Sequence, residues 1–187
     1  HSFSIAVPTI PRSKLRFITR PAHPLDNAFN YTFWHGIKAE IFSTTIAHEG
    51  EAVSSIDSEA PNGFAIMSEV GQEVLFAHAP SRLEFPIPEG ANRLTGKIGL
   101  LRRAYTGNGN TDGVSFIIES EDTHGQCTIL LERLLQPYSV SADQGAHDFS
   151  VTLPIQNSVK LILRTEPSAT SRLDYTWSYW QSLQFKP

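Results

Sequence analysis

Cysteine is nearly absent from this 187-residue chain, where Cys127 is the only one. An intrachain disulfide is therefore excluded, and so is a multi-cysteine zinc site. Long apolar runs are missing as well. The longest are a few residues, such as Ile117-Ile118 and Ile129-Leu130-Leu131, far short of the ~20 residues that cross a bilayer as a helix. Charged residues make up 18% of the chain, against a usual ~25%. Fifteen Lys+Arg against 19 Asp+Glu leave a net charge of −4. With no basic block, nucleic acid is not an expected partner, because clustered Lys and Arg supply most of that affinity. Apolar residues still reach 40%, so a core can form without covalent staples and the chain is no disordered acidic tail. No signal-peptide pattern opens it. It starts His1-Ser2, with Met67 as its sole methionine, which points to an excised domain or a processed chain.

What is present divides at about residue 30. Pro8, Pro11, Pro21 and Pro24 surround the basic run Arg12 to Arg16. Proline at that density blocks helix and central strand alike, so residues 1–30 read as an extended arm or linker. Residues 31–187 read as one domain of short strands between turn clusters. Leu83–Ile87, Phe149–Leu153 and Val159–Leu163 alternate apolar and other residues, the period of a strand with one buried face. Val114–Glu119 is rich in β-branched and aromatic residues. Ile129 to Leu135 fits a helical face as well as a strand, and strand is the favoured reading. Turn signals at Glu89-Gly90, Asn108-Gly109-Asn110 and His124-Gly125 separate these runs. The fold class expected is all-β, an antiparallel β-sandwich.

Familiar catalytic strings are missing. There is no phosphate-binding glycine loop, no nucleophile elbow and no H-E-x-x-H. Asn108-x-Asn110-x-Asp112-Gly113, with Glu119 six residues past the glycine, nearly copies an EF-hand loop. These four side chains are candidate ligands for a structural calcium ion, although a plain glycine-rich connection explains the same string. An enzyme would need carboxylates such as Asp112, Glu119 and Asp174 to meet in one cleft.

The densest constellation is aromatic. Asp174-Tyr175-Thr176-Trp177-Ser178-Tyr179-Trp180 holds two of the three tryptophans. Rings of this kind offer apolar faces to the C–H side of a sugar, with polar handles at their rims. Core packing is the competing role for each Trp, and for Trp34 beside His35. Tyr105, with Arg102 and Arg103, lies in a polar, glycine-rich connection of the sort that carries binding residues on a rigid sandwich.

The string Phe76-Ala77-His78-Ala79-Pro80-Ser81-Arg82-Leu83, followed by Leu94–Leu100, then Asp112-Gly113-Val114-Ser115-Phe116, then Asp174 with Trp177 or Trp180, resembles the NPCBM family (novel putative carbohydrate-binding module). The landmarks fall in order over about residues 63–185. That family usually has a histidine where Tyr175 stands. The resemblance implies a galactose-binding-like jelly roll and a non-catalytic module. It implies a glycan or polysaccharide partner and attachment to other domains of a carbohydrate-active or cell-surface protein in an extracytoplasmic setting. The sugar-contacting candidates are Trp177, Trp180, Asp174, Tyr105, Arg103, His78 and Arg82. Each has a structural alternative: His78 as a buried hydrogen-bonded residue, Arg82 in a salt bridge, Asp174 as a turn cap or ion ligand. A structural or protein-interaction sandwich with no sugar binding is the alternative for the whole domain.

Overall fold

In the computed structural model, residues 44–60, 63–154, 158–168 and 173–187 are described. The Pro-rich arm and Trp34 fall outside them. Twelve strands follow one another among the described residues: β1 (Thr45–His48), β2 (Glu51–Ser54), β3 (Asp57–Glu59), β4 (Phe64–Glu69), β5 (Gln72–His78), β6 (Ser81–Pro86), β7 (Arg93–Leu100), β8 (Val114–Asp122), β9 (Cys127–Leu135), β10 (His147–Thr152), β11 (Ser158–Pro167) and β12 (Trp177–Lys186). The only helical turns among the described residues are 3-10 turns at Arg102–Ala104 and Ser141–Asp143.

The strands form two sheets that face one another. The first runs β10-β7-β12-β1-β2, with β5 also pairing to β12 and β4 to β5. The second runs β3-β6-β11-β8-β9. Every pairing is antiparallel except β1 against β12. The ambiguous apolar run is strand β9, which pairs with β8 along its length. It needs only one buried flank as the sheet edge, so its helical spacing is incidental.

Alternation builds the core. Leu161, Leu163 and Thr165 of β11, Leu83 and Phe85 of β6, and Phe116 and Ile118 of β8 turn inward and are buried. Across from them, β12 contributes Trp180 and Phe185, and β7 contributes Leu94 and Ile98. The Trp180 ring meets Phe116 edge-on at 5.3 Å and Phe149 at 6.2 Å. One buried hydroxyl pair joins two strands of the second sheet. Ser81 Oγ and Thr165 Oγ1, opposite each other on β6 and β11, lie 2.6 Å apart.

The outward side of the second sheet carries an ion-pair lattice. Glu84 is bridged to Arg82 at 2.7 Å and to Lys160 at 2.9 Å, and Lys160 reaches Glu121 at 3.1 Å. Burial pushes the Glu84 carboxyl up, but hydrogen bonds from Lys160 and Arg82 outweigh it and hold the group below its ordinary value. Asp122 closes the β8–β9 hairpin by accepting the amides of His124 and Gln126 at 2.8 and 2.9 Å.

Candidate carbohydrate-binding site

Strand β12 sets the site by alternation. Trp180 points into the core while Trp177 and Tyr179 point to the opposite, outward side of the first sheet. Trp177 opposes His78 of β5, and its carbonyl accepts the Leu101 amide at 2.8 Å. A small apolar cluster of Val74, Leu101 and Tyr179 lies there, with Met67, Phe76 and Trp177 packed on it. Tyr179 can lie flat because β7 has Gly99 at that point. A Cβ there would stand 2.4 Å from the Tyr179 hydroxyl and 2.6 Å from the Gly145 carbonyl. Burial, with the Glu69 carboxylate and Tyr105 nearby, pushes the Tyr179 hydroxyl up to about 12.

Around Trp177 the connections between strands converge. The β11–β12 connection brings Tyr175, whose ring meets the indole at 5.1 Å and whose φ is +62°. The β7–β8 connection brings Arg103, with its guanidinium 4.7 Å from the centroid of the Trp177 ring. That connection is folded on itself by Thr111 N–H to Ala104 carbonyl and Gly109 N–H to Thr106 carbonyl bonds, at 3.1 and 3.0 Å. It is anchored from β4, where Glu69 Oε1 accepts the Arg102 amide at 2.8 Å. Tyr105 ties it to the β9–β10 connection by accepting the Gly145 amide at 3.2 Å. The β5–β6 corner is held by Thr176, whose amide oxygen accepts Ala79 N–H at 3.1 Å and whose hydroxyl lies 3.1 Å from the Ala79 carbonyl. His78 sits at this corner, with Nδ1 2.9 Å from the Ala79 carbonyl and its ring edge-on to Phe76.

Trp177, Arg103 and His78 are thus gathered at one end of the sandwich. Asp174 is exposed in the turn that leads into β12, and Tyr105 is half-buried in the neighbouring connection. Three sequence expectations are corrected. Trp180 is no surface platform, because it is 0% exposed between the sheets; at three residues from Trp177 on a strand it must face the other way. Arg82 lies on the opposite sheet, paired to Glu84. Glu119 does not join Asn108, Asn110 and Asp112. It lies five residues into β8, about 17 Å along a strand, and is gripped by Arg164 at 2.9 and 3.0 Å. The flanking elements are a short 3-10 turn and strand β8, where an EF-hand needs two helices. Among the described residues no group of three or more His, Cys, Asp or Glu could hold a metal ion.

Tyr175 and Glu69 were not singled out by the sequence as contacts. Tyr175 was legible as part of the aromatic run. The contact of Glu69 with residue 102 carries no local signal. A separate cleft of about 250 Å³ opens where β5 and β1 part along β12, lined by Thr44, Glu73, Gln181 and Ser182 among others. It shares β12 with the aromatic cluster but contains none of its loop residues.

No protein-family model matches the sequence, and no curated protein matches it. Solved structures do. The CBM51-2 and INT domains from Clostridium perfringens ZmpB superpose with a TM-score of 0.53 at 13% identity, over 70% of this chain and 29% of that one. The CBM51-2 and INT domains of the same protein in complex with GlcNAc give 0.46 and 14%, over 77% and 29%. The CBM51 from Clostridium perfringens GH95 in complex with methyl-galactose gives 0.44 and 11%, over 78% and 92%. The chain therefore spans about 29% of the length of the first of these. The likeness to the first establishes the fold, a β-sandwich of the kind found in carbohydrate-binding modules.

Proposed function

We propose that the chain is a non-catalytic carbohydrate-binding module, attached to a larger carbohydrate-active or cell-surface protein, that binds glycan around Trp177. The carrying observation is the position of that ring: half-buried at the loop end, flanked by Tyr175 and capped by Arg103. The half-buried rings of Trp177 and Tyr175 offer apolar surface to the C–H face of a sugar, while Asp174, His78, Tyr105 and Arg103 supply polar groups for its hydroxyls. The order of landmarks shared with the NPCBM family supports the same reading. So does the sandwich likeness to a chain that holds the CBM51-2 and INT domains of ZmpB, 29% of which is covered by the match. Residues 31–187 are the binding domain and residues 1–30 the connecting arm. A dissociation constant near 1 mM is worth only about −4 kcal/mol. Affinity of that order becomes useful when tethering raises the effective concentration.

A glycan array probed with the multivalently displayed chain, with and without calcium, tests this. Binding to one glycan class that is lost in folded Trp177→Ala supports the reading, and silence at high valency sinks it. Calcium dependence would draw Asn108, Asn110 and Asp112 into the site. One observation favours a second reading, a protein-interaction sandwich: edge strand β9 exposes Ile129 at 55% and Leu134 at 43%.

A further inference from the structure

We infer that the saccharide taken at this end of the sandwich is anionic, bearing a carboxylate or a sulfate ester; the inference rests on the carbohydrate-binding reading above. Arg103 is exposed, yet its guanidinium is laid against the Trp177 indole. A guanidinium held by a ring still directs its N–H donors outward in its own plane. That plane is where a carboxylate or sulfate receives two parallel hydrogen bonds. Stacking also restricts the side chain beforehand, so less rotamer freedom is lost on binding.

Neither Arg102 nor Arg103 makes an ion pair among the described residues. The carboxylates that do pair with arginine are Glu84, Glu119 and Glu166, on strands of the other sheet. Glu69 reaches the same connection but turns Oε1 to the Arg102 backbone amide rather than to a guanidinium. Asp174, also exposed, makes no ion pair with either arginine. One guanidinium without an ion pair among the described residues thus lies on an aromatic surface, with a second exposed arginine beside it in sequence, in a chain whose net charge of −4 gives polyanions no general attraction.

The test uses the full chain and two matched ligand pairs, read by calorimetry or NMR titration at low and at physiological salt. One pair is a uronate-containing oligosaccharide and its carboxyl-reduced counterpart; the other is a sulfated oligosaccharide and its desulfated counterpart. The charged member of at least one pair is expected to bind about tenfold tighter at low salt, with the margin shrinking as salt rises. The pair that shows it identifies the anionic group. Arg103→Gln, checked for folding by circular dichroism, should equalise the two members, and Arg103→Lys should restore part of the margin. Equal binding of charged and neutral members by the wild-type chain overturns the inference and leaves the module reading intact. A charge preference unmoved in Arg103→Gln overturns the assignment to this site. No binding to any of the four ligands overturns the inference, while the module reading falls only if the multivalent glycan array is silent as well.

Discussion

Arg164 straddles Glu119: Nε donates to one carboxylate oxygen at 2.9 Å and Nη2 to the other at 3.0 Å. Both groups are largely withdrawn from solvent, with Glu119 at 9% side-chain exposure. Glu166 contacts the third guanidinium nitrogen. A two-pronged contact of this kind fixes the register of β8 against β11 as well as adding attraction. Removing Glu119 leaves Arg164 half-buried with only Glu166 on one of its nitrogens, and removing Arg164 leaves the Glu119 carboxylate buried without its two-pronged partner. Glu119→Ala is therefore expected to cost about 2–4 kcal/mol in urea unfolding. Arg164→Lys should recover little, since an ammonium cannot reproduce the fork. A loss below about 0.5 kcal/mol would mean the pair behaves as a solvated surface contact.

The two terminal tryptophans should separate stability from binding. Trp180→Ala empties a core position between Phe116 and Phe149 and is expected to cost about 3–5 kcal/mol. Trp177→Ala should leave a folded protein with a smaller loss of stability and no glycan retention. Thermal melts beside affinity electrophoresis would show it, and equal destabilisation by both changes would contradict the assignment of opposite faces.

Gly99→Ala tests the close passage of Tyr179. The added methyl would meet the ring, its hydroxyl and the Gly145 carbonyl, so a loss of about 1–3 kcal/mol is expected. Trimming the ring in a Gly99→Ala/Tyr179→Leu double variant should relieve the part owed to the tyrosine. Additive losses in a double-mutant cycle would place the strain on the carbonyl alone.

The lattice around Glu84 predicts a pH profile. Its carboxyl is held low when folded and titrates at its ordinary value when unfolded. Above the ordinary carboxylate range its contribution to stability is complete. As pH falls, the unfolded chain takes up the proton first, and the contribution fades until the folded-state value is passed. Lys160 works in the opposite direction. Its ammonium is held above its ordinary value, chiefly by the hydrogen bond to Glu84. Its share is intact below the ordinary lysine value and fades as pH rises through the raised one. Unfolding free energies of wild type and Glu84→Gln should converge below about pH 4 and separate at neutrality. A constant gap across that range would contradict the mechanism.

Much of the architecture was legible locally. Period-two alternation in Leu83–Ile87, Phe149–Leu153 and Val159–Leu163 names one buried face each, and β6, β10 and β11 occupy those runs. The aromatic run near the C-terminus was visible too, but not which ring faces outward. Trp177 and Trp180 are three positions apart, so on a strand they face opposite sides. The choice depends on which face of β12 meets the other sheet. Glu119 illustrates the opposite failure. Its spacing from Asp112 mimics a metal loop, yet the partner that claims it stands 45 positions away, on a strand reached only through tertiary pairing. Contacts such as Glu69 with the Arg102 amide are equally invisible, since they arise from separate connections meeting in space.

Strand β12 is bonded to β7, β5 and β1 at once. It is also the last of these twelve strands to be synthesised. While a ribosome is still short of Trp177, β7, β5 and β1 have no shared neighbour, and one half of the sandwich lacks its middle. The second sheet, with β11 already flanked by β6 and β8, can assemble sooner. The apolar sides of β5 and β7 must meanwhile wait uncovered. Contacts that join ends so distant in sequence form slowly, so the nascent chain passes through a half-built stage in which aggregation competes with completion.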